Sequence, residues 1–579
     1  MIKVLKLSII IIVSAFLVLP LFTEAQETLG QQTVFNVETS YDLFQRTTLS
    51  ASLIKISPTA YWYFDSKLWG ELSSDQQAEI NRSLDSLVEE FETNIYPKLT
   101  RAYGSEWSPG IDKDTRITIL MHQMTKTTGG YGDTADEYPK VQIPESNERE
   151  MIYLNTQNID TGYIKSLLAH ELIHLITFNQ KNRKYGVSDE IWLNEARAEY
   201  APTLLGYDEI YEGSNLQRRV RDFLDKPSDS LTEWRETPVD YGVVNLFIQY
   251  LVDHYGIQVL IDSLTMKETG IASINLALSQ RGFKEDFAQI FTNWTIAVLV
   301  NDCQVSEKYC YYNKNLKDFR ITPLINYLPF VGESVLSVTN TTKDWSGNWH
   351  KFIGGKGTLT LDFTGAQGVN FSVPYLINHS SGKVTVGILP LDVLKSGKIL
   401  VEDFGSENVA LTIIPITRNK IADFFNIEPS RTFSWTASTK GETEITIPSL
   451  SPLKKPIAEM TRAEVLARIA EIQQVVAQLQ VILLQLSGIA SCQSLNQDLS
   501  FGMKSNSQVM CLQEFLKNQG TAIYPEGIVS GNFFTATLQA VIRFQEKYAS
   551  EVLIPYGLTR GTGFVGPITR AKINTMLGR

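Results

Sequence analysis

Between Ile164 and Phe178 the apolar positions Leu167, Leu168, Leu172, Ile173, Leu175 and Ile176 run nearly all round a helix, the pattern of a buried one. Asp160 or Thr161 is placed to cap it. A second helix is expected from Asp189 to Leu205, with Trp192, Leu193, Ala196, Tyr200 and Leu204 as its apolar contacts. The polar stretch Asn179 to Ser188, which holds Gly186, reads as the loop that folds this helix back. A third apolar helix opens near Tyr241 and runs to about His254. Two β-rich runs, Arg116 to Met121 and Met151 to Asn155, supply strands, and the second is expected to lie beside the cleft. Gly129, Gly130 and Gly132 mark a turn-rich loop nearby.

Farther along, the period changes. TLTLDF (358–363), KVTVGILPL (383–391) and VALTIIPI (409–416) are β-branched or alternating runs, so residues 325–450 read as an antiparallel β-sandwich. Trp345, Trp349 and His350 fall in a polar stretch there; stacking on sugar is open to them, but packing is the commoner fate of tryptophan. Residues 451–488 form a linker and a helix (461–487). In that helix Val465, Ile469, Ile472, Val476, Leu479, Leu483 and Leu486 follow a heptad seam. Such a helix would reach about 40 Å and suits either a spacer or a homo-oligomer contact. Residues 489–579 read as three amphipathic helices joined by glycine-rich turns, with Leu512, Phe515, Leu516, Val541, Phe544 and Ile573 as core. No tandem repeat is evident.

The chemistry lies in residues 170–174, HELIH. His170 and His174 are four apart, so a helix puts both on one face, where two imidazoles can hold one metal ion. Glu195, in WLNEARAEY (192–200), is the expected third ligand, and Glu171 the general base that deprotonates the attacking water. Glu199 sits one turn beyond Glu195 and is expected to accept the free N–H of a ligand histidine. One catalytic Zn2+ is the implied cofactor, and the chain has only six histidines.

The HELIH motif with its downstream glutamate resembles the gluzincins, metallopeptidases built on HExxH plus Glu, over roughly residues 110–260. The resemblance implies an α+β zincin-like peptidase domain (26–320). It also implies an extended peptide substrate that adds to a sheet edge, and a downstream Tyr or His that stabilises the oxyanion, for which Tyr241 is the candidate. The sequence departs from the thermolysin branch in showing no long pro-region, and it shows no aminopeptidase-type GxMEN motif, so an endopeptidase, or a protease branch of its own, is expected rather than an aminopeptidase. At the C-terminus, VxxLQxFL, GxFxxxTxxAVxxFQ and VGPxTRAKIN resemble the three-helix peptidoglycan-binding domain of bacterial wall hydrolases, implying peptidoglycan as a partner.

Composition narrows the setting. Lys3 and Lys6, an apolar core from Leu7 to Phe22 and Thr23-Glu24-Ala25 read as a signal peptide (1–25), hence a secreted or cell-envelope location. The four cysteines fall into two local pairs, Cys303 with Cys310 and Cys492 with Cys511; both suit disulfides in an exported chain, and neither has zinc-knuckle spacing. A net charge of −11 argues against nucleic acid as partner. The expectation is a multidomain exported zinc metalloendopeptidase acting on protein or peptide. The alternatives are a peptidoglycan endopeptidase and a non-catalytic wall-binding protein.

Overall fold

The computed structural model describes residues 27–329, 333–419, 428–440, 450–453, 455–486, 494–495, 497–503, 506–556 and 558–577. The expected signal peptide and Cys492 lie outside these residues. The chain is mixed α and β and divides into two compact units, residues 1–179 and 180–579.

The first unit is built on six strands: β1 (Gln32–Asn36), β2 (Thr48–Ile56), β3 (Ala60–Asp65), β4 (Ile117–His122), β5 (Gly130–Tyr131) and β6 (Met151–Asn155), in the order β1-β2-β3-β4-β6-β5. β3, β4 and β6 are parallel neighbours and buried along their whole length, which is why they read as continuous apolar runs. The crossover from β3 to β4 carries the helices Ser74–Glu90 and Tyr96–Tyr103. The helix Ile164–Thr177, which carries HELIH, follows β6 and packs against β5, β6 and both crossover helices. Its N-cap residue is Tyr163 and not Asp160 or Thr161; Asp160 accepts instead from Ser83 Oγ at 2.5 Å.

Two expectations about this region change. Met151–Asn155, expected beside the cleft, packs against the HELIH helix but is not the sheet edge. Gly130–Tyr131 pairs antiparallel with it and forms the sheet edge. The polar stretch after the HELIH helix is largely helical as well, continuing as a π-helix over Phe178–Arg183. Asn179, Gln180 and Lys181 at its start are buried, whereas Arg183 and Lys184 are exposed, so polarity does not by itself mark the first turn as a surface loop. Asn179 Nδ2 donates to the carbonyls of Ser105 and Glu106, and Lys181 Nζ to that of Ser263.

In the second unit the helices Ile191–Leu204, Asn215–Asp225 and Pro238–Tyr255 pack together. Gly242 makes the close approach: a Cβ there would stand 2.4 Å from the backbone nitrogen of Phe223. After the helix Phe287–Val300, Cys303 and Cys310 form the expected disulfide. His254 lies in the last turn of its helix and its Nε2 is 2.9 Å from the Cys310 carbonyl oxygen.

Nine strands between Leu324 and Lys440 form one sheet whose halves meet at a single ladder pair, Phe404 with Asn408. Strands from both halves share an apolar core of Phe352, Leu361, Phe363, Leu411, Phe433 and Trp435. The expected antiparallel pattern holds except at the Phe404–Asn408 pair, which is parallel, and at one full ladder. Leu324–Leu328 runs parallel to His350–Gly354, because the strand Glu333–Lys343 lies between them in sequence and carries the chain across. Trp345, Trp349 and His350 are buried; Trp349 Nε1 donates to the Thr295 carbonyl, and Trp345 packs on Phe287 and Phe291. Packing, not sugar stacking, accounts for them.

The helix Arg462–Leu486 forms where the heptads lie. It is followed by Ser507–Asn518, Thr535–Lys547 and Pro567–Met576, whose core includes all six expected residues, Leu512, Phe515, Leu516, Val541, Phe544 and Ile573. Cys511 is in a disulfide, and Cys492, its expected partner, lies outside the described residues. This segment does contain a repeat. Gln513 Oε1 accepts from the backbone of Ser530 and Gly531, while its Nε2 donates to Asn532 O and Thr537 Oγ1. Gln545 makes the same four bonds at a constant offset, to Thr562, Gly563, Phe564 and Thr569. Only the glutamine, the glycine, the threonine and the apolar positions have to match, which hides the repeat from a reading of letters.

Candidate metal centre

The HELIH helix is almost wholly buried: eleven of its fourteen residues are. The three that are not are Lys165, His170 and His174. His170 and His174 stand one turn apart with their rings edge to face, centroids 4.9 Å from each other, and Glu171, which follows His170, is 5% exposed. Glu195 comes from the middle of Ile191–Leu204. The potential ligand atoms of His170, His174 and Glu195 all lie within 4.8 Å of one another. Two neutral imidazoles and one carboxylate around a common point fit zinc, with one position left for water.

The edge strand β5 lies against the same helix, and its glycines explain how. A Cβ at Gly129 would stand 2.7 Å from Leu167 Cδ2, and one at Gly130 would stand 2.8 Å from the Tyr153 carbonyl and 3.4 Å from Glu171 Cγ. At Gly132 the nearest atoms would be His174 Cβ at 3.7 Å and Glu171 Oε2 at 3.9 Å. These glycines are therefore sites of close approach as well as turn residues. Tyr131 anchors the strand: its ring stacks on Tyr153 at 4.2 Å, and its hydroxyl accepts from the Glu38 backbone at 3.1 Å. Tyr153 in turn donates to buried Asp136 at 2.5 Å, where burial pushes the carboxyl up to about 7.

Glu199 is buried on the helix that carries Glu195, and its carboxylate accepts from Arg219 Nη2 (2.5 Å), Arg219 Nε (2.8 Å), Asn215 Nδ2 (3.1 Å) and Asn245 Nδ2 (3.2 Å). Tyr241 stands in the first turn of Pro238–Tyr255; its ring packs on Trp234 at 4.8 Å and lies 4.4 Å from the Arg219 guanidinium. Arg219 was not among the residues expected from sequence. A signal for it exists: in NLQRRVRDFLD, Leu216, Val220 and Phe223 form an apolar stripe, and Arg219 falls inside it.

No protein-family model matches the chain, and no curated protein does. Among solved structures, the pre-peptidase C-terminal domain of a collagenase from Bacillus anthracis is similar over 20% of this chain and 96% of that one, at 6% identity and a TM-score of 0.14. A likeness that slight carries no argument about activity. Among the described residues no helix is long and apolar enough to cross a membrane.

Proposed function

We propose that this chain is an exported zinc metalloendopeptidase that hydrolyses peptide bonds. The observation that carries the reading is the convergence of His170, His174 and Glu195, with Glu171 set between the histidines on a buried helix. The three residues would hold a Zn2+ ion, which supplies Lewis acidity and makes water a nucleophile at neutral pH. Glu171 takes the proton from the attacking water and passes it to the leaving amine. Tyr241 donates a hydrogen bond to the oxygen that gains charge at the scissile carbonyl. Glu199 orients a ligand histidine by accepting its second N–H. The free side of Gly130–Tyr131 takes the substrate as an added strand, in keeping with its place at the sheet edge beside Glu171.

In the same reading, residues 325–450 are a β-sandwich, the heptad helix is a stalk or a self-association element, and the C-terminal three-helix segment tethers the enzyme to peptidoglycan. The repeated Gln513 and Gln545 bracing supports that segment as a compact unit of its own. The test is hydrolysis of casein and of purified sacculi by protein lacking residues 1–25, beside Glu171→Gln, with zinc measured on both. Casein hydrolysis in the parent, lost by at least about 10³-fold in the variant at equal zinc, is the expected result. Sacculus digestion without casein digestion moves the substrate to the wall itself. A parent that holds no zinc rejects the reading and leaves a wall-binding protein without catalysis.

A further inference from the structure

Glu199 and Tyr241 have separate roles in the proposed reaction, yet one buried cation touches both. Arg219 is 7% exposed. Its Nε and Nη2 grip the two oxygens of Glu199 as a fork, at 2.8 and 2.5 Å, and the face of the same guanidinium lies 4.4 Å from the Tyr241 ring centroid. The remaining arm, Nη1, reaches Asp222 Oδ2 at 3.1 Å. A buried guanidinium is costly unless carboxylates compensate it, and here two do. Compensation alone needs no fork and no stacked ring. The fork sets the plane of the Glu199 carboxylate, and the flat cation limits where the Tyr241 ring can lie. The close helix contact at Gly242 brings these elements together.

We propose that Arg219 is a positioning residue for both halves of the site. It acts through Glu199 on the hold of His170, His174 and Glu195 on zinc, and through Tyr241 on the stabilisation of the oxyanion. The proposal rests on the metallopeptidase reading above. Lysine keeps the charge but carries its donors on a single nitrogen with no plane, so Arg219→Lys separates charge from geometry.

The experiment is a zinc dissociation constant from chelator competition, with kcat and KM at saturating zinc, on protein lacking residues 1–25. Arg219→Lys is expected to weaken zinc binding by about 10-fold to 100-fold, the scale for losing an outer partner of a ligand. It is also expected to lower kcat more than KM. In a Glu199→Gln background the same substitution should add less than about 2-fold to the zinc constant, because the two act as one unit. In a Tyr241→Phe background the further loss in kcat should shrink likewise. Arg219→Lys with a wild-type zinc constant and kcat overturns the proposal, and so do full, additive losses in both backgrounds. A parent without zinc overturns the metallopeptidase reading and the proposal together, whereas a zinc-loaded parent with additive losses overturns the proposal alone. Should Arg219→Lys not fold, Glu199→Gln by itself decides: an unchanged zinc constant overturns the proposal, and a weakened one supports it.

Discussion

Two helices of this chain are rich in leucine, isoleucine and valine, and they have opposite fates. Ile164–Thr177 is apolar nearly all round and eleven of its fourteen residues are buried. Arg462–Leu486 carries a heptad seam, and of that seam Ile469, Ile472, Val476 and Leu479 are each at least 40% exposed. The first helix is wrapped by β5, β6 and two crossover helices, so its buried polar residues are held to one geometry, as a metal site needs. The second touches the strands Leu324–Leu328 and His350–Gly354 but leaves Ile469, Ile472, Val476 and Leu479 in solvent. Apolar content makes both helical; what covers the apolar face decides whether a helix can carry chemistry.

The comparison is most easily broken by truncation. Leu168 is fully buried in the HELIH helix, and Leu168→Ala should cost about 2–5 kcal/mol in urea denaturation. Ile472→Ala on the exposed seam should stay within about 0.5 kcal/mol in dilute protein. Equal losses at both positions would mean that the seam is covered in solution.

Crowding beside the site is the next test. Gly130→Val places a branched Cβ where 2.8 Å separates it from the Tyr153 carbonyl, and a loss of about 1–3 kcal/mol together with peptide hydrolysis is expected. Gly132→Ala meets nothing nearer than 3.7 Å and should leave the melting temperature within about 2 °C of the parent. A folded, fully active Gly130→Val protein would remove β5 from the substrate path.

A further test is a pH dependence. Burial raises the Asp136 carboxyl from 3.8 to about 7, so the folded state favours its protonated form. Its contribution to stability is present in full below the unfolded value near 4 and is lost as pH rises through about 7. Asp136→Asn should therefore lose less stability than the parent between pH 4 and pH 7, measured by urea denaturation at both. Identical slopes would show that Asp136 is ionised throughout.

Much of the local structure was legible in advance. The HELIH helix, the helix of Glu195, the helix that opens near Tyr241, the β runs of residues 358–363 and 409–416 and the three C-terminal helices each have a period strong enough to name the element. The misreadings share one cause. Asn179 and Lys181 are polar letters in a buried helical turn, because remote carbonyls accept their hydrogens. Gly129, Gly130 and Gly132 look like turn residues because a two-residue strand is too short to show alternation. Gln513 and Gln545 repeat a set of hydrogen bonds rather than a string of residues.

Short-range periodicity alone determined that His170 and His174 share a helix face with Glu171 between them, and that Glu195 and Glu199 share another, because an α-helix returns to the same face every three to four residues. Only the tertiary structure decided that Glu195 meets the histidines, that Gly130–Tyr131 is the sheet edge beside Glu171, and that Arg219 lies against both Glu199 and Tyr241. Contacts between residues distant along the chain depend on how whole elements pack, and that packing is set by the sum of many buried surfaces rather than by the residues that finally meet.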